Sequence, residues 1–104
     1  MLFGEFKEHF EKGLKANHFM AFFCNCTSRY SGRAESDLGK GDRMILVKPG
    51  NVFQLHQPDG NTPVHWMKSG AEILLEKSEN HLALKVHHIR TKAVSYTHLT
   101  LPTN

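Results

Sequence analysis

Up to Asn17 the apolar residues of this chain recur every three or four positions; from His18 onward they alternate, and the earlier rhythm does not return. Side chains repeat every 3.6 residues around a helix and every two along a strand, so the layout open to this chain is one helix followed by strands. Phe3, Phe6, Phe10 and Leu14 form the helical stripe, with Glu5, Lys7, Glu8, Glu11, Lys12 and Lys15 on the other positions. Gly13 weakens the last turn, and Asn17 is the expected stop.

The strand region divides at turn signals. "HFMAFFCNCTSRY" puts Phe19, Ala21 and Phe23 on one face and Met20, Phe22, Cys24 and Cys26 on the other, so its first half is apolar on both sides. "SGRAESDLGKGD" reads as a loop from its Gly, Ser and Asp content. "RMILVK" and "VFQLHQ" read as a hairpin across Pro49-Gly50-Asn51. "TPVHWM" follows the turn Pro58-Asp59-Gly60-Asn61, and "AEILLEK" and "HLALKVHHIR" are joined across Ser78-Glu79-Asn80. The expected fold is mainly β (α+β): an N-terminal amphipathic helix, then a half-open antiparallel β-barrel or sandwich of about six strands.

At 104 residues the chain is at most one domain, one that buries only about 60–65% of its unfolded surface. No apolar run is long enough to span a bilayer and none has signal-peptide flanks, so a cytoplasmic setting is expected. Lys and Arg outnumber Asp and Glu by 13 to 10, an excess that permits an anionic partner without demanding one. The stretch after Ala93, "VSYTHLTLPTN", has no charged residue and follows the basic "HHIRTKA". It matches the in-frame translation of a transposon-type sequencing-library adaptor, so residues 94–104 are expected to stand outside the domain, which then occupies residues 1–93 and is incomplete at its C-terminus.

Little in the chain points to catalysis. Cys24 and Cys26 share a strand face and lack the further ligands of a zinc site, so they read as buried thiols; their union with a histidine around a metal is the weaker alternative. His9, His18, His56, His65, His81, His87 and His88 follow no ligand spacing. Nucleophile-elbow, P-loop and dinucleotide fingerprints are missing from the sequence. Trp66, the one tryptophan, stands apart. A tryptophan in a small domain usually fills the core, yet this one follows two turn signals, shares a face with Val64, and has His65 and Lys68 close by. An edge aromatic ringed by Arg and Lys is the composition of a platform on which an unpaired base stacks.

The ordered set Gly32-Arg33-Ala34, Ser36-x-Leu38, Gly41-Asp42-Arg43, "MILVKPG", Leu55-His56 and Pro63-Val64-x-Trp66 resembles the N-terminal domain of the NucS (EndoMS) endonucleases across Tyr30 to Gly70. The resemblance implies a half-open β-barrel that dimerises and holds single-stranded or mismatched DNA, while a separate nuclease domain with a divalent metal, Mg by expectation, does the cutting. It also implies that Arg33 contacts DNA, that a flipped-out base lies between Leu38 and Trp66, and that Arg43 is a lesser candidate for a backbone contact. His65 stands where that family usually has Asn, which changes the hydrogen-bonding edge beside the tryptophan. Gly50-Asn51 replaces a usual Asp-Gly. No cofactor and no catalytic residue are assigned to this chain, which is expected to be inactive alone. The rival reading is a protein-interaction module whose Trp66 and Met67 meet another chain.

Overall fold

The structure, a computed structural model, describes residues 2–78 and 81–100. Among the described residues one helix, α1 (Phe3–Lys15), precedes seven strands: β1 (Met20–Ser31), β2 (Glu35–Lys48), β3 (Val52–His56), β4 (His65–Met67), β5 (Ala71–Lys77), β6 (Leu82–His88) and β7 (Val94–Thr100). All pairings are antiparallel, in the order β4-β3-β2-β1-β7-β6-β5. The two edge strands, β4 and β5, are separated by only three residues of sequence, which brings the ends of the sheet round toward each other as a half-open barrel. The fold class is the one expected, a β-rich α+β domain, with one strand more than the count read from the sequence.

The helix ends where Asn17 was expected to end it. Asn17 takes φ +58°, the His18 N–H donates to the Gly13 carbonyl (3.0 Å) and the Asn17 N–H to that of Leu14 (3.1 Å), the paired bonds of a Schellman cap. The Asn17 amide oxygen then accepts from the Gly50 N–H at 2.7 Å, tying the cap to the β2–β3 turn. Gly13 has a packing reason as well: a Cβ there would overlap the sulfur of Met20. The stripe Phe6 and Phe10 meets Phe22 edge-on, at centroid distances of 4.9 and 6.0 Å. With α1 also lying against β5, the helix closes one end of the barrel.

One sequence expectation is corrected. Most of the Ser31–Asp42 stretch is strand, not loop: β2 begins at Glu35, and the turn is confined to Gly32, Arg33 and Ala34. Its outward residues are polar and solvated, with Asp37 paired to Arg29 at 3.0 Å and Asp42 bonded to Asn25, so a strand carried the composition of a loop. Val94–Thr100, expected to stand outside the domain, are placed within the sheet. They form β7, laddered to β1 on one side and β6 on the other. Ser95 and Thr97 are fully buried and Leu99 nearly so. Among the described residues, the β5–β6 hairpin joins the sheet through this strand.

The core lies inside the curl: Ile45 and Val47 of β2, Phe53 and Leu55 of β3, Met67, Leu75, and Leu82, Leu84 and Val86 of β6 are all buried. Burying each large aliphatic or aromatic side chain contributes about 1.5–3 kcal/mol, the main favourable term for so small a domain. Cys24 and Cys26 are buried free thiols on the same inner face. Among the described residues no helix is long and apolar enough to cross a membrane.

Candidate nucleic-acid interface

The seam between β4 and the rest of the barrel holds a cleft of about 590 Å³. Trp66, on edge strand β4, pairs with Gln54 of β3 and has its ring turned outward, 57% exposed. Its neighbours His65 and Met67 point inward and are buried, the alternation expected from the sequence. Arg33, at the β1–β2 turn, lines the same cleft, with Tyr30, Ala34, Lys68 and Thr91. Residues about thirty apart thus face one another because the sheet curls over itself. Gly32 makes the approach possible: a Cβ there would come within 2.9 Å of the Tyr30 hydroxyl and 3.2 Å of the Ala93 side chain.

His65 is the interior brace of that curl. Its ring is 1% exposed, its Nδ1 lies 3.0 Å from Ser28 Oγ, and Ser28 Oγ lies 2.9 Å from Thr97 Oγ1. A hydrogen-bond chain therefore crosses the inside of the barrel from β4 to β1 and β7. Tyr30 packs on the same imidazole at 5.4 Å between centroids. Burial, and secondarily the nearby Arg43 charge, hold the His65 pKa below the ordinary imidazole value, so the ring is neutral. His65, expected to present its edge beside the tryptophan, lines the cleft from behind, with its ring buried in the interior.

Arg43, the lesser candidate for a backbone contact, is also turned inward. It projects inward with Ile45 and Val47 and is only 9% exposed. Between Cys26 and Ser28 the β1–β2 register shifts, so that Gly39 and Lys40 of β2 oppose Thr27 alone, a β-bulge. The Arg43 Nη1 donates to the Cys26 and Gly39 carbonyls, each at 2.6 Å. The guanidinium therefore satisfies carbonyls at the bulge. Leu38 also faces inward, half-buried against the core, and does not line the Trp66 cleft. Of the sequence candidates, the structure gathers Arg33 and Trp66 on the open side of one cleft, with His65 behind them.

The Cys24 thiol is pushed well above the usual range by its hydrogen bond with Cys26 and by burial. Among the described residues no group of three His, Cys, Asp or Glu is placed to hold a metal ion. Met67 is buried, which removes it from the contact surface of the protein-interaction reading. Sequence reasoning missed Tyr30, Thr91 and Ala93. The latter two belong to the β6–β7 turn, visible as a turn only once β7 is a strand.

The model of the Endonuclease NucS N-terminal PH-like domain matches residues 17–101. The chain belongs to the NucS N-terminal domain family. The NucS match extends through β7, in keeping with that strand's central place in the sheet. The chain is 39% identical over 72 residues to Endonuclease NucS of Pyrococcus furiosus, covering 69% of this chain and 27% of that protein. With Endonuclease NucS of Thermococcus kodakarensis it shares 40% identity over 67 residues, 64% of this chain and 27% of the relative. It thus spans little more than a quarter of the length of these NucS relatives. Among solved structures, EndoMS in its apo form superposes with a TM-score of 0.88 at 32% identity, over 94% of this chain and 42% of that one. An EndoMS complex with double-stranded DNA superposes with a TM-score of 0.87 at 27% identity, over 99% and 46%.

Proposed function

We propose that this NucS domain holds single-stranded or mismatched DNA by stacking an unpaired base on Trp66 while Arg33 takes an adjoining phosphate, as the DNA-binding part of a mismatch or branched-DNA endonuclease. The observation that carries the reading is the exposure of the Trp66 ring in a cleft it shares with Arg33. A tryptophan with more than half its surface in water contributes little to the core, and its flat apolar face suits a nucleobase. A mispaired base costs less to unstack, which fits such a platform to mismatches. The likeness to an EndoMS–DNA complex supports the same reading. In this proposal cleavage, with its divalent metal, belongs to a nuclease domain beyond these residues.

The direct test is titration of the domain with a mismatched duplex and a single strand while Trp66 emission is followed. Quenching that saturates, and that is reversed by salt as phosphate contacts are screened, is the expected result. Emission that no oligonucleotide alters would reject stacking.

The outer sheet face supports a companion reading, self-association. Phe23 is 69% exposed and pairs with Met44, while Ala21 pairs with Leu46 and Phe19 is 64% exposed beside them. An apolar strip of this kind on a small domain suits an isologous contact with a second copy. Sedimentation should show a concentration-dependent dimer that Phe23→Glu dissociates; a wild-type domain that stays monomeric at high concentration would overturn this.

A further inference from the structure

A second cleft, of about 580 Å³, opens beside the Trp66 cleft and is lined by Lys68, Ser69, Gly70, His88, Ile89 and Arg90. The two clefts meet at Lys68, and the β6–β7 turn walls both, presenting Thr91 and Ala93 to one and Ile89 and Arg90 to the other. His88, 3% exposed, braces the junction. The Thr91 N–H donates to its Nδ1 at 3.3 Å, so Nε2 carries the ring proton and donates to the Ser69 carbonyl at 3.0 Å. One buried ring therefore fixes the β4–β5 turn against the β6–β7 turn. The β6–β7 turn is also held from within, by Lys92 N–H to the His88 carbonyl (2.7 Å) and His88 N–H to that of Ala93 (2.9 Å).

The charge in this region has one sign. Arg33, Lys68 and Arg90 are exposed, none of them is in an ion pair among the described residues, and no carboxylate lines either cleft. Elsewhere the described lysines and arginines include several paired to acids, at Lys7–Glu11, Lys12–Glu8, Arg29–Asp37 and Lys85–Glu76. Unpaired cations along a braced channel beside an exposed aromatic fit a nucleic-acid strand, whose phosphates repeat along its length while its bases need a flat face.

We propose that the second cleft is a phosphodiester subsite: Lys68 and Arg90 take phosphates of the nucleotides flanking the base stacked on Trp66, and the exposed Ile89 side chain packs against a sugar. The proposal rests on the stacking reading above and gives the strand a path along the two adjoining clefts, from the one holding Arg33 and Trp66 to the one holding Arg90. The test compares the wild-type domain with Lys68→Ser/Arg90→Ser in titrations with a twelve-nucleotide oligothymidylate at several salt concentrations, read by Trp66 emission. Both side chains are solvent-exposed, and matching thermal melts confirm that the variant is folded. Each phosphate contact on a single strand contributes a slope of about −0.7 to log K against log salt, so the variant should bind more weakly with a slope shallower by about 1.4, while quenching at saturation is unchanged. Equal slope and affinity in the two proteins, with quenching intact, would overturn the subsite and leave stacking standing. Wild-type emission unaffected by the oligomer would overturn both.

Discussion

Arg43 gives the sharpest separation between a DNA-contacting and an architectural arginine. In Arg43→Met the aliphatic bulk is largely kept, but the Cys26 and Gly39 carbonyls lose the Nη1 donor that reaches both at 2.6 Å. An orphaned buried acceptor costs about 1–3 kcal/mol. The Cys26 bond is buried and the Gly39 bond only partly so, and removing a buried cation relieves some desolvation, so the net loss is about 2–4 kcal/mol. For a domain whose total stability is about 5–15 kcal/mol, that lowers the melting temperature by on the order of 10 °C or more. Urea unfolding followed by far-UV circular dichroism reads the loss, and the salt slope of DNA binding, measured well below the melting temperature, reads any phosphate contact. The expected outcome is a lower urea midpoint with the slope unchanged. A variant as stable as wild type whose slope falls by about 0.7 would refute the bulge-brace reasoning and restore Arg43 as a phosphate ligand.

The His65 brace makes stability depend on pH. Because burial holds its folded pKa below the ordinary value of 6.5, the unfolded chain takes up the proton first as pH falls through 6.5. Stability from this group should therefore be intact above pH 6.5 and decline below it, by at most about 1.4 kcal/mol per pH unit. His65→Asn, with no proton to gain, should flatten melting temperatures between pH 7 and pH 5 relative to wild type; an unchanged pH profile would contradict the brace. The two thiols, each no more than 3% exposed, should resist alkylation at pH 8 in the folded domain because reagent cannot reach them, even though the Cys24 hydrogen bond holds the Cys26 thiol below its ordinary pKa, and should react promptly in denaturant. Rapid labelling of the folded protein would contradict their burial.

How far the sequence disclosed this arrangement follows from which physical signal each residue emits. The helix, its Asn17 stop and the β3, β5 and β6 strands follow from periodicity and turn chemistry, as does the outward face of Trp66. The first half of β2 was hidden because an exposed strand that pairs Asp37 with Arg29 has the composition of a loop. β7 was hidden by its uncharged, adaptor-like composition, and periodicity offered no counter-signal, because its inward Ser95 and Thr97 are polar yet fully buried, Thr97 bonding to Ser28. Inwardness of Arg43 was illegible too, since "RMILVK" carries apolar residues on both faces and alternation alone cannot say which one meets the core. The cleft itself is a product of curl, which brings Arg33, Trp66 and Thr91 together from three separate turns and edges.

The central claim is that an exposed indole supplies binding energy for a base. Trp66→Ala removes a ring that is 57% exposed, so the fold should survive with little loss. Stacking is worth about 1–3 kcal/mol per base, which converts to a roughly 5- to 150-fold weaker complex. Fluorescence anisotropy of a dye-labelled mismatched duplex, titrated with wild type and with the variant, measures that ratio. The account predicts a loss within this range, partly recovered in Trp66→Phe. Equal affinity for the two proteins would contradict it.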